Sequence, residues 1–505
     1  MEKYELTFPQ KNIWLVENFY DSKLINIISG SLVIKKAFDI SKAEQTINEF
    51  VRLNEAMRLR ICIEDSVPKQ YVAVFTPFEA DKINVEGKTE QEVDKIKEEY
   101  ISTGFDTIEK PLFSYLLIDR GNGMGEIFLK AHHLICDGWS GSKMVTGLAQ
   151  IYDSLLEGNT EFSMSPSYLD YIAKENEYKS SEKFKDDEAF WTEYLSGFSE
   201  TVGIKNAAIN ETEAKRYAVK LDENLNKIIL DYCRENKFSP YTIFMTAIAI
   251  YLERINEKQD IVIGTPILNR GNFAEKQMQG MFVSTMPVRF KIDENMTFKD
   301  ICTLNAKETM SLFRHQRFPI SKTIENVKKN NGLEDSLYKV MVSYQNARAK
   351  FEKEDTYRMS WNFSGHIQDE LEIHIVDLND DGILEVDYDY ITSLFEDQEI
   401  EYIAKRIETI IQDGIINNKT IETIEIMPDE EKNLILGLNK TATNYPKDET
   451  VIGLFEKQVK INPNKIALVC NAETITYSEL NNKANSIANM LIKQGIKATD
   501  SVGVM

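Results

Sequence analysis

Apolar positions in the chain recur at two spacings. After Ser41 and Glu44, which are spaced as a capping box, Ala43, Ile47, Phe50 and Val51 share one helical face, so residues 41–53 are predicted to form an amphipathic helix. Residues 112–119 (LFSYLLID) and 126–133 (EIFLKAHH) are apolar runs of strand length, joined by the glycine-rich RGNGMG of a hairpin turn. That turn lacks the spacing of a dinucleotide fingerprint and leads into a strand, so it is not a phosphate loop, and no Walker lysine motif occurs. LICDGWS follows, and then Val145, Leu148, Ile151 and Tyr152 at helical spacing. Polar EGNTEFSMSPS (157–167) interrupts the pattern before helical segments at 168–178 and 184–195. Farther on, residues 239–252 read as a buried helix, while DIVIGTPIL, STMPVRFKI, YKVMVSYQN and ELEIHIVDL read as strands. The expected class is mixed α/β, with no repeat at solenoid spacing.

Composition narrows the function. The chain has 505 residues, 42% of them apolar, enough for two or three packed cores. Its formal charge of −22 repels phosphate backbones and anionic lipid, which argues against nucleic acid as a partner. Five scattered cysteines without a CxxC pair fit reduced thiols and offer no zinc site. The amino terminus has no apolar signal core and no stretch approaches the length of a membrane span, so the expected location is the cytoplasm.

AHHLICDGWS (131–140) is the most informative fragment. Two of the chain's five histidines stand side by side at the end of a predicted strand, and alternation sends His132 and His133 to opposite faces. Asp137 and Gly138 then open a helix, where free backbone N–H groups favour a developing negative charge. The pattern suits acyl transfer.

The fragment resembles the HHxxxDG signature of the condensation domains of nonribosomal peptide synthetases, related to chloramphenicol acetyltransferase, in which Trp139 and Ser140 are also typical. Further blocks occur in the family's order: TFPQKNIW (7–14), NEAMRLR (54–60), SYLDYIA (167–173), QGMFVSTMPVR (279–289), RHQRFPI (314–320) and LYKVMVSYQN (337–346). The resemblance covers about the first 425 residues; Leu53 and Asn54 stand where the family more often has Arg and His, and Ser284 where it often has Asn.

The resemblance implies two chloramphenicol-acetyltransferase-like lobes in a V-shaped pseudo-dimer with a central tunnel, residues 1–172 and 173–425. It implies that His133 faces the tunnel, that His132 is structural, and that Asp137 turns away to pair with Arg289, with Arg58 supporting the same region. The implied reaction is attack by the α-amine of a carrier-bound aminoacyl acceptor on a donor acyl thioester, with His133 positioning groups and handling a proton. The Gly138 N–H is the candidate oxyanion donor.

No covalently bound cofactor is implied. Phosphopantetheine thioesters, or acyl-CoA, are the expected currency, and donor and acceptor carrier proteins and the rest of a synthetase module the expected partners. The DSL triplet at Ser336 is no carrier site, because an apolar strand follows it where a carrier serine would open a helix. Residues 426–449 are expected to be a linker, and 450–505, with ITYSEL at 475–480, resemble the start of an adenylation domain whose later elements are missing, so ATP-dependent amino-acid activation is not expected. With only six residues before the first block, and with PQKNIW, IVIGTPILNRGNF and MVSYQN resembling starter domains, a starter role attaching a fatty acyl group is expected. The alternatives are an elongating domain fed by a peptidyl carrier in trans, a non-catalytic carrier-docking platform and a free-standing acyltransferase.

Overall fold

The computed structural model describes residues 2–20, 22–333, 335–378, 381–471 and 473–503; Met505, where the sequence stops, lies outside them. Two units are distinguished, 1–428 and 429–505.

The larger unit holds two principal sheets. In the first, the strand order is Tyr357–Asn362, Ile27–Ile34, Met124–His132, Phe113–Gly121 and Asp81–Asn84. Its central hairpin forms as predicted. Asn122 and Gly123, the two residues between the strands, both have positive φ (53° and 72°), the conformation a tight hairpin requires. Helix Ile40–Leu53 buries Ala43, Ile47, Phe50 and Val51 in a core shared with helix Gly138–Leu156, which contributes Val145, Leu148, Ile151 and Tyr152. The cap differs from the prediction: Asp39 accepts from the amides of Ser41 and Lys42, and Glu44 instead accepts from the Ala80 amide and Lys82.

The second sheet has the order Ser284–Lys291, Asp260–Ile267, Val340–Gln345, Leu371–Val376, Glu385–Ile391 and Ala214–Lys220. All four strands expected in this half are present, and helix Pro240–Asn256 is buried behind them.

Two features lie across the expected lobe boundary at 172/173. Helix Tyr168–Lys179 runs through it without a break. Strand Tyr357–Asn362, from the second half of the sequence, pairs antiparallel with Ile27–Ile34 at the edge of the first sheet. Backbone hydrogen bonding therefore ties the halves together.

In the smaller unit, helices Asp429–Leu438, Val451–Ile461 and Tyr477–Lys493 accompany the strand pair Ile466–Cys470 and Glu473–Thr476. The first of these helices lies within the segment expected to be a linker. No helix among the described residues is long and apolar enough to cross a membrane.

Candidate active site

Strand Met124–His132 ends on His132, and His133 opens the turn that follows it. His132 is fully buried; its Nδ1 accepts from the Leu134 amide at 3.1 Å, which leaves Nε2 to donate to Glu17 at 3.3 Å. Both ring nitrogens are thus engaged in holding the turn. His133 is partly accessible, and its backbone amide donates to the Asn26 carbonyl at 2.8 Å. Its Nδ1 is buried without a hydrogen-bond partner. Burial of the ring, with a smaller contribution from neighbouring His132, pushes its pKa down to about 4 against the pull of Asp137 and the Cys136 backbone. The imidazole is neutral at pH 7.

This depression has a sign that can be tested. The unfolded chain binds the proton near 6.5 and the folded chain only near 4, so the neutral ring detracts from stability progressively as pH falls from 6.5 towards 4 and has no effect above that window. Thermal unfolding of wild type and His133→Gln should therefore give a stability difference that is constant above pH 7 and shifts in favour of the variant below about 6.5.

Asp137 is the N-cap of helix Gly138–Leu156, its Oδ1 accepting from the Ser140 amide at 2.8 Å. The carboxylate is fully buried and paired with Arg270, Nη1 to Oδ2 at 2.8 Å and Nη2 to Oδ1 at 3.1 Å. Oδ2 also accepts from the amides of Phe282 and Val283 at 3.0 and 3.2 Å. The expected pairing with Arg289 is therefore replaced by one with Arg270. Arg289 instead forms a fork with Asp260 at 2.7 and 2.6 Å and donates to the carbonyls of Tyr194 and Ser196. The reason is reach: Val283 touches Asp137, but Arg289 lies six residues farther along an extended segment, about 20 Å away at strand rise.

Arg270 also donates to the Glu275 carbonyl and to Ser140 Oγ, and lies over the Phe282 ring. Ser140 is fully buried and exchanges hydrogen bonds with Gly280 in both directions. Trp139 Nε1 donates to the Lys276 carbonyl, and Tyr168 to that of Met281. Gly280 has φ +144°, and a β-carbon there would meet the Tyr168 ring at 2.3 Å, so only glycine lets this loop pass. The segment 270–283 thus clamps the start of the motif helix.

Gly138, at the first position of that helix, is exposed, and a β-carbon built on it would meet nothing within 4 Å. Arg58 is not among the groups around the motif. It donates to the Ala73 carbonyl at 2.9 Å and lines a cavity with Arg60, Phe75 and Phe113.

Beside the motif lies a small apolar cavity of about 10 Å³, room for about one water, between the first sheet and the motif helix. Ile28, Leu32, Leu129, Met144, Leu148 and Trp361 are among its walls. Trp361 sits against Gly141, where a β-carbon would approach its ring to 2.2 Å.

The inner row of the second sheet escaped sequence reasoning. Ser343 Oγ bonds His374 Nδ1 at 2.6 Å, His374 Nε2 bonds Asp389 at 3.1 Å, and Arg216 forks onto Asp389. Alternate polar positions in ELEIHIV and EVDYDYI carry the signal, since period two puts Glu372 with His374 and Asp387 with Asp389 on one face.

Comparison with known proteins fits this geometry in two stages. The fold is that of condensation domains: the starter condensation domain of rhizomide synthetase, solved as a mutant with C8-CoA and Leu-SNAC, superposes with a TM-score of 0.73 at 19% identity, covering 84% of this chain and 98% of that one. The first condensation domain of the calcium-dependent antibiotic synthetase superposes with a TM-score of 0.74 at 17% identity, covering 85% and 99%. The chain belongs to the condensation-domain family, whose profile matches residues 1–436, while residues 455–505 match the AMP-binding enzyme family.

Surfactin synthase subunit 1 of Bacillus subtilis is 32% identical over 99% of the chain, and gramicidin S synthase 2 of Aneurinibacillus migulanus 27% identical over 100%. The chain spans 14% and 11% of those two proteins.

Proposed function

We propose that the chain joins a donor acyl group, held as a phosphopantetheine or CoA thioester, to the α-amine of an aminoacyl group on an acceptor carrier protein. The observation that carries this reading is His133: a neutral imidazole, partly accessible, at the end of a rigid strand and beside an uncrowded helix start. The amine nitrogen attacks the thioester carbonyl carbon, and the carbon–sulfur bond breaks as the carbon–nitrogen bond is kept. His133 takes the proton released by nitrogen and returns it to the departing sulfur, so no net acid or base is consumed. The Gly138 N–H faces the oxyanion of the tetrahedral intermediate, while Asp137 and Arg270 fix the turn that presents it. His132, Trp139 and Ser140 act as positioning residues in the same turn.

The acceptor amine, with an ordinary pKa of about 7.7–8.0, is partly neutral at pH 7, so orientation carries much of the acceleration. Carrier proteins are the macromolecular partners in this reading, and residues 450–505 open an adenylation domain after a linker at 426–449.

We further propose the starter subtype, with a fatty acyl donor. The likeness to the starter condensation domain of rhizomide synthetase, solved with C8-CoA, supports it; the apolar cavity behind the motif helix, with room for about one water, receives an acyl tail only once Trp361 is cut back. Trp361 then sets the depth available. Trp361→Ala should shift the preferred donor in an acyl-CoA series to longer chains, each added buried methylene contributing about 0.8 kcal/mol. An unchanged chain-length preference, read by product mass, would remove the cavity from the account. Transfer only from a peptidyl carrier, with every acyl-CoA inert, would make the domain an elongating one.

A further inference from the structure

A cavity of about 240 Å³ is lined by residues between Val51 and Tyr115, none of them in the histidine motif. Phe78, Phe113 and Tyr115 form one wall, their ring centroids 5.4–6.4 Å apart. Arg58 and Arg60 form another. Neither guanidinium makes an ion pair within 4 Å among the described residues. Arg58 donates from one terminal nitrogen to the Ala73 carbonyl and Arg60 to that of Leu59, but Arg58 Nε is buried with no acceptor. Burial holds both guanidiniums below their ordinary range. The cavity's carboxylates, Glu79 and Asp81, are exposed at its rim, where solvent screens them.

Two half-buried, permanently charged forks without a counter-ion, beside an aromatic wall, form an incomplete set of interactions. In a chain of net charge −22 they stand out as local positive charge facing an apolar surface. A planar anion that accepts two parallel N–H bonds satisfies a guanidinium, and an apolar body attached to it covers the rings.

We propose that this cavity binds a small amphiphilic carboxylate, its head on Arg58 and Arg60 and its apolar body against Phe78 and Phe113. The site is separate from the His133 motif and does not depend on the reaction proposed there.

Titration calorimetry of the full chain with octanoate tests it, with 1-octanol and inorganic phosphate as probes lacking either the charge or the apolar body. Octanoate should bind at one site per chain. The two control probes should each bind about tenfold more weakly or worse, and Arg58→Gln and Arg60→Gln should each weaken octanoate about tenfold or more. His133→Ala should leave the affinity unchanged. Should Arg58→Gln fail to fold, Arg60→Lys, which keeps the charge and loses the fork, still has to weaken binding. No detectable octanoate binding, equal binding of phosphate, affinity indifferent to both arginines, or loss of binding in His133→Ala would each overturn the proposal.

Discussion

Replacing His133 by alanine is expected to lower the rate of amide formation about 10²–10⁴-fold while leaving the fold intact. Both parts follow from its surroundings. The ring's Nδ1 has no hydrogen-bond partner, whereas neighbouring His132 uses both nitrogens to hold Leu134 and Glu17. Removing His133 thus takes away proton handling and little architecture. The two substitutions should separate: His133→Ala folds and is nearly inactive, and His132→Ala loses stability along with activity, because it leaves the Leu134 amide and the Glu17 carboxylate short of a partner. Circular dichroism and steady-state kinetics on both variants read the difference. A His133→Ala rate within tenfold of wild type would assign catalysis to orientation alone.

The second large effect is expected at Arg270. Arg270→Met should cost about 3–5 kcal/mol of stability, since it leaves the Asp137 carboxylate wholly buried with its charge uncompensated. The two amides of Phe282 and Val283 that also bind Asp137 soften this but supply no full charge. Arg289→Met makes the informative contrast. Its partner Asp260 is 40% exposed and regains water when the arginine goes, so the expected loss is about 1–3 kcal/mol, chiefly from the unmet carbonyls of Tyr194 and Ser196. Urea unfolding of the two variants should rank Arg270→Met as the more damaging. The reverse order would mean that the motif turn holds its shape without the buried pair.

The contrast between these two arginines also shows where the sequence stops being legible. Local chemistry was readable: the hairpin at 121–124, the amphipathic face of 40–53 and the strand-to-helix placement of the histidine motif follow from period and turn residues, and each is present. The partner of Asp137 was not. Arg270 follows strand Asp260–Ile267 and Arg289 lies within strand Ser284–Lys291, and choosing between them needs the path of the loop 270–283, which periodicity does not encode. The cap of the first helix shows the same limit on a smaller scale, since Asp39 and Ser41 are both good N-caps and the backbone selects one. Strand Tyr357–Asn362 went unrecognised because its alternation is weak, and its partner Ile27–Ile34 lies more than 300 residues earlier, so no local signal reports the crossing between halves.

The polar row from Ser343 to Arg216 was legible in principle, through alternation, and was masked by the apolar residues facing the core. Burial pushes Glu372 on the same sheet, and Asp369 just before its strand, well above the ordinary carboxylate range, with Asp369 adding to the first shift and Glu370 to the second.

The most direct test of amide formation at His133 follows the mass of an aminoacyl-loaded acceptor carrier incubated with the chain and either an acyl-CoA series or a peptidyl-loaded donor carrier. The acceptor is expected to gain the mass of one acyl group from a fatty acyl thioester, with release of one equivalent of donor thiol and with no product from the His133→Ala chain. Binding of correctly loaded carriers without any His133-dependent gain in acceptor mass would contradict this and leave the domain a docking platform.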